Sequence, residues 1–365
     1  MTDEAYMRMA IELAEKGRGW VNPNPLVGAV IVKEGHIIGR GYHKKYGMPH
    51  AEREALADCM ESAQGATLYV TLEPCCHYGK TPPCTEAIIK AGIRKVVIGA
   101  KDPNPLVSGK GIATLRESGI LVEEGILKQA CEEQNRIFFH YMKTGTPYVI
   151  LKYAMTADGK IATVTGASHW ITGELARKRV HVTRHETMGI MVGSQTVSCD
   201  DPHLNARIEN GRNPVRIVCD TTLRTSKNAY VVRTARDQRT IIVTGDRKED
   251  NWIEYQKCGC EVLLVPTKDE RIDLKHLMGQ LGEMGIDSIL LEGGATLNWS
   301  ALAEGIVDEV QMYIAPKLVG GEMAKTPVAG MGVNKLEDAF EIEWKEIQKV
   351  GEDVLLTARI KRRNA

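Results

Sequence analysis

Three residues that are far apart along the chain restrict its fold more than any other feature. His50 lies in a His-Ala-Glu triplet, Cys75 follows a proline, and Cys84 comes after eight intervening residues. A catalytic zinc site uses three protein ligands and keeps a fourth position open for water. A fold that uses these side chains as ligands must bring them together and leave Glu52 beside them as an unligated acid.

This arrangement is typical of zinc-dependent deaminases of bases and nucleosides, in which His-x-Glu is followed by Pro-Cys and a second cysteine. We expect His50, Cys75 and Cys84 to hold one Zn²⁺ ion. Zinc lowers the pKa of water, and hydroxide then attacks a ring carbon that bears an amino group. Glu52 is the expected catalytic residue, which moves protons between water, ring nitrogen and departing ammonia.

A structural zinc site is the alternative, and His77 is the only nearby side chain that would complete four protein ligands. Cys76 stands beside Cys75 and offers a ligand exchange, but we expect Cys76 to be a packed thiol. The other cysteines are expected to be buried free thiols in a reducing compartment: Cys59, Cys131, Cys199, Cys219, Cys258 and Cys260.

Charge and hydropathy restrict the partners of the chain. Its 365 residues include 47 basic and 47 acidic side chains. A neutral chain has no electrostatic footprint for nucleic acid, which favours a small substrate. No run reaches the ~18 apolar residues of a membrane span, and the acidic, amphipathic N-terminal helix is unlike a signal peptide. We therefore expect a cytoplasmic protein that binds neither nucleic acid nor membrane.

Strand and helix patterns alternate along the chain and predict an α/β protein with two domains. The first, residues 1–145, ends with a helix expected over Lys128 to Lys143. Gly145 and Pro147 then interrupt the pattern, as is common at a domain junction. In the second, residues 146–365, strand-like apolar runs separated by helical patterns indicate a mixed sheet.

A pair of glycines is the most specific feature of the second domain. Glu292-Gly293-Gly294 directly follows an expected strand, Ser288 to Leu291, and directly precedes a helix. Glycines at such a turn let the backbone approach a diphosphate, and the helix N-terminus attracts it. Taken alone, the same pattern is as often only a tight turn.

The first domain contains five motifs that can be compared with known families: Asn22-Pro23-Asn24-Pro25-Leu26-Val27-Gly28, His50-Ala51-Glu52, Thr71-Leu72-Glu73-Pro74-Cys75, Tyr78-Gly79-Lys80-Thr81-Pro82-Pro83-Cys84 and Asp102-Pro103-Asn104-Pro105. These motifs resemble those of the bifunctional deaminase–reductase family of riboflavin biosynthesis. The long insert between the cysteines separates this family from deaminases of nucleic acids and free nucleosides. Family members usually carry Ser where this chain has Cys76.

Motifs in the second domain resemble the reductase half of the same family. They are Asp158-Gly159-Lys160-Ile161-Ala162, Gly166 to Thr172, Asp200 to Arg207 and Ala315 to Gly321. The resemblance implies an N-terminal cytidine-deaminase-like three-layer domain and a C-terminal dihydrofolate-reductase-like domain with a mixed sheet. It also implies one Zn²⁺ ion per chain, NADPH as the second cofactor, and a homo-oligomer.

The resemblance further implies two successive reactions on a small phosphorylated pyrimidine. The first is hydrolytic deamination of 2,5-diamino-6-ribosylamino-4(3H)-pyrimidinone 5′-phosphate. The second is reduction of the ribosyl group to a ribityl group by NADPH, in which the cofactor supplies the hydride and the protein supplies orientation and electrostatics.

Residues carried over from the matching motifs fall into three groups. The deaminase substrate would contact Asn24, His43, Lys80, Thr81 and Asn104. The reductase substrate would contact Lys152, Ser168, Arg184, Asp200, Leu204, Arg207 and Glu292. The nicotinamide cofactor would contact Ala154, Trp170, Thr196, Asp200, Thr221, Gly294, Ala295, Thr296, Leu297, Asn298, Trp299 and Ser300.

Several of these residues also have ordinary structural explanations. Lys80 is equally typical of a solvated loop, and Asn beside Pro is typical of a turn. Arg184 and Arg207 suit phosphate oxygens, but a single arginine is more often part of a surface ion pair. The acid of the reduction is left open among three residues: Lys152, Asp200 and Glu292.

Three other functions are compatible with parts of the sequence. A deaminase of tRNA or free nucleosides would show salt-sensitive RNA binding. A zinc-stabilised binding module would be indifferent to loss of Glu52. A deaminase with an impaired reductase half is the third, because Gln195 stands where the family has Gly or a small residue and Asn205 stands where it often has Thr. Titration with NADPH would expose that impairment.

Overall fold

The chain forms two compact units, Met1–Gly145 and Thr146–Ala365. The computed structural model describes residues 1–78, 82–104 and 107–361. Each unit contains its own sheet and its own hydrophobic core. Within the described ranges, no helix has the length and apolar character needed to span a bilayer.

The first unit contains six helices and five strands among its described residues. The helices are α1 (Asp3–Glu15), α2 (Ala51–Ala57), α3 (Cys84–Lys90), α4 (Lys110–Glu117), α5 (Lys128–Gln134) and α6 (Arg136–Thr144). The strands are β1 (Gly28–Lys33), β2 (His36–Tyr42), β3 (Thr67–Leu72), β4 (Lys95–Ala100) and β5 (Leu121–Glu124). The sheet order is β2-β1-β3-β4-β5, in which β1 is antiparallel to both neighbours and the last three strands are parallel.

Local sequence explains why the first helix forms where it does. The Thr2 hydroxyl accepts a hydrogen bond from the Ala5 backbone N–H, which caps the start of α1. Met7, Ala10 and Ala14 recur at helical spacing and are completely buried. Small side chains at these positions allow α1 to lie close against the sheet.

Two glycines show that helices cover both faces of this sheet. A side chain at Gly28 of β1 would collide with the Ala10 carbonyl of α1, and one at Gly41 of β2 with the Ala51 carbonyl of α2. Gly41 pairs across the ladder with Ala29, the neighbour of Gly28. Because side chains alternate along a strand, the two glycines face opposite sides. Helix, sheet and helix therefore form three layers.

The helix expected over Lys128 to Lys143 is wrong in one respect, since it is two helices. Asn135 separates α5 from α6 and has φ −103° and ψ 20°. Its side-chain amide accepts a hydrogen bond from the Leu26 N–H and donates one to the Leu26 carbonyl, both at 2.8 Å. This two-point contact fixes the segment before β1, where the first site begins.

The second unit contains more strands than the first. Its helices are α7 (Glu174–Glu186), α8 (Ser194–Asp200), α9 (Tyr230–Arg233), α10 (Ile253–Lys257), α11 (Leu274–Glu283) and α12 (Ala295–Ala303), with 3₁₀ turns at Glu249–Asn251 and Leu336–Asp338. Its strands are β6 (Tyr148–Thr156), β7 (Gly189–Gly193), β8 (Val215–Cys219), β9 (Thr240–Thr244), β10 (Glu261–Leu264), β11 (Thr267–Lys268), β12 (Arg271–Ile272), β13 (Ser288–Leu291), β14 (Glu309–Ala315), β15 (Ile342–Val350) and β16 (Asp353–Ile360).

Nine of these strands form one mixed sheet, as the sequence predicted. Its order is β10-β9-β8-β7-β13-β6-β14-β16-β15. Strands from β10 to β14 are parallel, and the last two pairings are antiparallel. The carboxyl ends of the parallel strands therefore meet at one edge of the sheet, which is where open α/β sheets bind ligands.

Candidate active sites

The first site is a cluster of three ligand side chains in the first unit. His50 is the residue before α2, Cys84 is the first residue of α3, and Cys75 lies in the loop after β3. The Nδ1 atom of His50 is 3.5 Å from Cys75 Sγ and 3.4 Å from Cys84 Sγ. All three ligand atoms lie within 4.8 Å of one another.

These distances fit zinc. With Zn–S of about 2.3 Å and Zn–N of about 2.05 Å, a tetrahedral ion separates its nitrogen and sulfur ligands by about 3.6 Å. One histidine and two cysteines also match the donors that zinc prefers. His77 and Cys76 are not members of the cluster. With three protein ligands, the cluster leaves one position open, as catalytic zinc sites do.

The electrostatics of the cluster favour a cation. The backbone N–H of Cys84 donates to the Cys75 sulfur at 3.3 Å. The hydrogen bond between the two cysteines, together with His50, lowers the pKa of Cys75 to about 4. The same cysteine pairing and burial raise the pKa of Cys84. Cys75 is thus held as a thiolate, which is the form that binds metal.

Glu52 lies beside the cluster as an unligated acid. It is in the first turn of α2 and is only 3% exposed. Burial, followed by the charge of Cys75, raises its pKa to about 7. A carboxyl group with a pKa near the working pH both accepts and donates protons efficiently. Glu52, His50 and Cys75 line one cavity of about 320 Å³.

Three of the predicted substrate contacts line the same cavity: Asn24, His43 and Asn104. The Nδ1 atom of His43 lies 3.1 Å from the Pro49 carbonyl, and its Nε2 atom lies 3.2 Å from the amide nitrogen of Asn24. Nδ1 therefore donates and Nε2 accepts. Burial lowers the pKa of His43, so this ring stays neutral. Lys80 and Thr81 lie outside the described residues.

Two acids of this site were missed from the sequence, although both belong to quoted motifs. The buried carboxylate of Glu73 accepts hydrogen bonds from the backbone N–H groups of Gly109 at 3.0 Å and Ile112 at 3.3 Å. It thereby attaches the loop that carries Cys75 to the start of α4. Asp102 lines the cavity, and burial raises its pKa to about 6. Both acids lie just after a buried strand, and this position was the sequence signal that could have identified them.

The second site is a cavity of about 1130 Å³ in the second unit. It lies at the carboxyl ends of β7, β8 and β13, where the strands give way to loops and to α8 and α12. The predicted substrate contacts on its wall are Ser168, Asp200 and Glu292. The predicted cofactor contacts on its wall are Thr196, Thr221, Gly294, Ala295, Thr296, Leu297 and Ser300, together with Asp200.

A buried ion-pair network adjoins this cavity through Glu292, which lines its wall, whereas Arg184 and Lys152 lie behind Glu292 and are not on the wall. Arg184 donates to both carboxylate oxygens of Glu292, from Nε at 2.6 Å and from Nη2 at 2.9 Å. The Lys152 ammonium lies 3.7 Å from the same carboxylate. Burial opposes ionisation of Glu292, but the charges of Arg184 and Lys152 lower its pKa to about 2. Burial lowers the pKa of Lys152.

Other predicted contacts lie away from the cavity wall. Leu204 is 2% exposed and packs in an apolar cluster with Ile190 and Val218, whereas Arg207 is exposed. Ala154 packs beside buried Tyr313. Three further residues belong to the cofactor group. Trp170 is 63% exposed, with the Arg177 guanidinium over its ring. Asn298 is buried and donates to the Pro327 carbonyl, and the ring of Trp299 packs edge-to-face on that of Phe340.

Gln195, the unusual residue of this region, lies on the cavity wall. It is exposed on α8, and its amide nitrogen lies 3.1 Å from the Cys199 sulfur one turn later. The side chain thus runs along its own helix. Cys199, which we expected to be buried, is exposed.

Comparison with known proteins identifies the family. A family model described as "RibD C-terminal domain" matches residues 147–356, and one described as "Cytidine and deoxycytidylate deaminase zinc-binding region" matches residues 1–100. The chain belongs to the RibD family. The riboflavin biosynthesis protein RibD of Actinobacillus pleuropneumoniae is 54% identical over 356 residues, which cover 98% of this chain and 95% of that protein. RibD of Escherichia coli K12 is 42% identical, with 98% and 99% covered.

Solved RibD structures match the whole chain. RibD of Acinetobacter baumannii, form 1, has a TM-score of 0.89 and 38% identity, and 99% of each chain is covered. A protein of Thermotoga maritima has a TM-score of 0.87 and 37% identity, covering 98% of this chain and 99% of that one. The predicted fold is confirmed, with an N-terminal cytidine-deaminase-like domain and a C-terminal reductase domain of dihydrofolate-reductase type. The chain is a deaminase and a reductase of riboflavin biosynthesis that uses Zn²⁺ and NADPH.

Proposed function

We propose that this RibD protein acts twice on one phosphorylated pyrimidine. The first substrate is 2,5-diamino-6-ribosylamino-4(3H)-pyrimidinone 5′-phosphate, and the second is the aminouracil ribosyl phosphate formed from it. The Thermotoga maritima relative is named a diaminohydroxyphosphoribosylaminopyrimidine deaminase and 5-amino-6-(5-phosphoribosylamino)uracil reductase. The observation that carries the proposal is a buried, unligated acid, Glu52, beside a zinc-type ligand set on the wall of one cavity.

In the deaminase site, His50, Cys75 and Cys84 would hold the metal, which supplies a Lewis acid that lowers the pKa of water. Glu52 would take a proton from that water, deliver it to a ring nitrogen and assist the departure of ammonia. Its burial supports this role, because a desolvated carboxyl group with a pKa of about 7 exchanges protons near neutral pH.

The polar side chains of the same cavity would orient the pyrimidine. Asn24 and the neutral His43 already share a hydrogen bond and present a rigid pair toward the ring. Asn104, which belongs to the Asp102-Pro103-Asn104-Pro105 motif, would contact the ribose or the ring. Lys80 and Thr81 would bind the phosphate, because an ammonium and a hydroxyl are suitable donors to its oxygens.

In the reductase site, the cofactor would supply a hydride to C1′ of the ring-opened sugar, and the protein would supply the proton. Lys152 is the best proton donor among the three candidates, because burial lowers its pKa. Glu292 is a poor donor, because a carboxyl group with a pKa of about 2 is ionised at neutral pH. Glu292 and Arg184 would instead fix the position of Lys152, and Asp200 would contact both ligands.

The other predicted residues would divide between the two ligands, some on the cavity wall and others, such as Leu204 and Ala154, behind it. Ser168, Leu204 and Arg207 would complete the substrate pocket. The cofactor would extend along Ala154, Trp170, Thr196, Thr221 and the segment Gly294, Ala295, Thr296, Leu297, Asn298, Trp299 and Ser300. Residues 1–145 would thus carry the deaminase activity, and residues 146–365 the reductase activity.

We also propose that the protein is a cytoplasmic homo-oligomer. Among the residues that the structure describes, the edge strand β15 pairs with β16 alone. Trp344 pairs with Ala358 and Ile347 with Leu356, and a bulge between Trp344 and Glu346 puts both apolar side chains on one face. That face continues the buried core, yet Trp344 is 51% and Ile347 71% exposed. An edge strand that exposes two large apolar side chains on one face is a candidate surface for contact with another chain. The oligomeric state of a Trp344→Glu, Ile347→Glu variant, measured by light scattering, tests this.

Complementation of two variants tests the assignment of two activities to two sites. Glu52→Gln should release no ammonia but should still reduce the deaminated substrate. Lys152→Met should release ammonia but should oxidise NADPH about 10²-fold more slowly. A mixture of the two proteins should restore the complete conversion, because each supplies the step that the other lacks. Ammonia release by the Glu52→Gln variant at the wild-type rate would refute the assignment.

A further inference from the structure

We infer that Arg224 and Arg271 select NADPH over NADH by binding the phosphate on the adenosine ribose. The inference rests on the proposed placement of the cofactor in the second cavity. Both arginines line that cavity, and neither belongs to a motif that pointed to the cofactor.

The order of strands gives the cavity a direction. Glu292 follows β13, and its partner Lys152 lies on β6, so the ion-pair network marks the end where the reaction takes place. Thr196 on α8 comes after β7, and its hydroxyl accepts a hydrogen bond from the Gly294 N–H at 3.0 Å. Thr221 comes after β8, the next strand outward. A ligand that touches all these positions extends from β6 toward β9.

The two arginines lie at the far end of this path. Arg224 is in the loop after β8, three residues beyond Thr221. Arg271 is on β12, which pairs with β11 in a short hairpin. That hairpin stands over the end of β9, because a side chain at Gly245 would collide with the methyl group of Thr267. From β13 to β9 there are three strand spacings, or about 14 Å, which requires a dinucleotide-sized ligand.

The guanidinium groups at this end are available for a ligand. Arg224 is exposed and makes no side-chain hydrogen bond or ion pair within the part of the chain that the structure describes. Arg271 makes one hydrogen bond, from Nη1 to the Ser300 hydroxyl at 3.2 Å. This bond turns the side chain toward α12, whose first turns line the cavity. Two guanidinium groups suit a phosphate dianion, which the adenosine ribose of NADH lacks.

Other charged residues of the cavity do not explain such a preference. Lys325 also lines the cavity, but its carbonyl accepts a hydrogen bond from the Ile161 N–H, which places it with the loop after β6. Glu322 belongs to the same segment as Lys325. Glu270 precedes Arg271 in the hairpin and also lines the cavity. A carboxylate there disfavours a phosphate, so any NADPH preference depends on the arginines.

Cofactor binding provides a test that does not depend on turnover. NADPH and NADH are titrated by fluorescence, at one fixed ionic strength, against the wild type, Arg224→Gln, Arg271→Gln and the double variant. We expect each single change to weaken NADPH binding ~10-fold and the double change ~100-fold, with NADH binding within ~2-fold of wild type. Arg236→Gln is the matched control, since Arg236 is exposed, makes one hydrogen bond to the Lys257 carbonyl and lies off the cavity wall.

A fifth variant separates this inference from the cofactor placement on which it rests. Thr296 is exposed on the cavity wall, so Thr296→Trp fills the cavity without disturbing the core. If Thr296→Trp leaves the affinities for NADPH and NADH unchanged, the cofactor lies elsewhere and the proposed placement is wrong. If Thr296→Trp weakens the binding of both cofactors while the arginine variants keep the wild-type ratio of NADPH to NADH affinity, only the role of Arg224 and Arg271 is overturned. A wild type that binds both cofactors equally would also overturn it.

Discussion

The two sites of this RibD protein are assembled in different ways. The zinc cluster takes its ligands from three separate points between residues 50 and 84 and borders a cavity of about 320 Å³. The reductase cavity, of about 1130 Å³, collects residues from Ile161 to Ala329 at the ends of parallel strands. Metal chemistry demands particular side chains at short distances, whereas a dinucleotide mainly needs a long surface of backbone and small side chains.

The two sites also differ in the electrostatics of the acid that each contains. The acid of the zinc site, Glu52, has a pKa raised to about 7 and can change its charge during a reaction. Burial alone would raise the pKa of Glu292, the acid of the reductase site, but the charges of Arg184 and Lys152 outweigh burial and lower this pKa to about 2. Glu292 therefore keeps its negative charge. One carboxyl group is suited to proton transfer and the other to positioning.

The largest expected effect concerns Glu52. Because Glu52 is the acid beside the zinc ligands and is expected to carry the proton transfers, Glu52→Gln should lower ammonia release ~10³-fold or more, while zinc content stays at one ion per chain. Glu54→Gln is the matched control on the same helix, where Glu54 pairs with Lys44, and should retain activity within ~2-fold. Loss of zinc together with activity would contradict a purely catalytic role.

The next effect concerns Glu292 and acid stability. Its pKa is lowered in the folded state, so its stabilisation is complete above pH 5 and is lost as the pH falls toward 2. A shift from 4.5 to about 2 corresponds to about 3 kcal/mol. Denaturant unfolding followed by tryptophan fluorescence reports mainly the second unit, which holds Trp170, Trp252, Trp299 and Trp344. Stability curves of wild type and Glu292→Gln that run parallel below pH 5 would refute this assignment.

A smaller effect is expected for the proton donor of the reductase. Lys152→Met should lower the rate of NADPH oxidation about 10²-fold and leave the dissociation constant of NADPH within ~3-fold. Lys178→Met, at an exposed position of α7 where Lys178 pairs with Glu174, should have no effect. If Lys152→Met weakened NADPH binding in proportion to the rate, Lys152 would be a binding residue instead.

The smallest effect should appear at Asn135, far from the chemistry. Asn135→Leu removes both hydrogen bonds to the Leu26 backbone and leaves two buried polar groups unpaired, which should cost about 2 kcal/mol of stability in the first unit. Hydrogen exchange of the two units should show faster exchange near Leu26 and no change in the second unit. Uniformly faster exchange in both units would contradict a local role.

The sequence pattern located β13 because this strand is mostly apolar and is buried along its whole length. β13 begins and ends at the predicted residues, Ser288 and Leu291. Such runs depend only on local burial. The break between α5 and α6 could not be predicted, because it accompanies a contact between Asn135 and Leu26, 109 residues apart.

In the candidate sites, too, some features follow from local sequence and others depend on contacts between distant residues. The zinc ligands and Glu52 could be proposed from spacing alone, because few other functions need that pattern. Glu73 was overlooked because its role comes from hydrogen bonds to a loop 36 residues away. The pairing of Lys152 with Glu292 depends on adjacent strands that are far apart in sequence, and only the folded sheet brings these residues together.

One coupled assay tests the central claim most directly, namely that one chain carries a zinc deaminase and an NADPH reductase that act in this order. Zinc-loaded protein receives 2,5-diamino-6-ribosylamino-4(3H)-pyrimidinone 5′-phosphate, and ammonia and NADPH absorbance are followed together. Ammonia should appear without NADPH, and oxidation of added NADPH should begin only after ammonia has formed. Zinc-loaded protein that releases no ammonia, or that oxidises NADPH before any ammonia appears, would contradict the account.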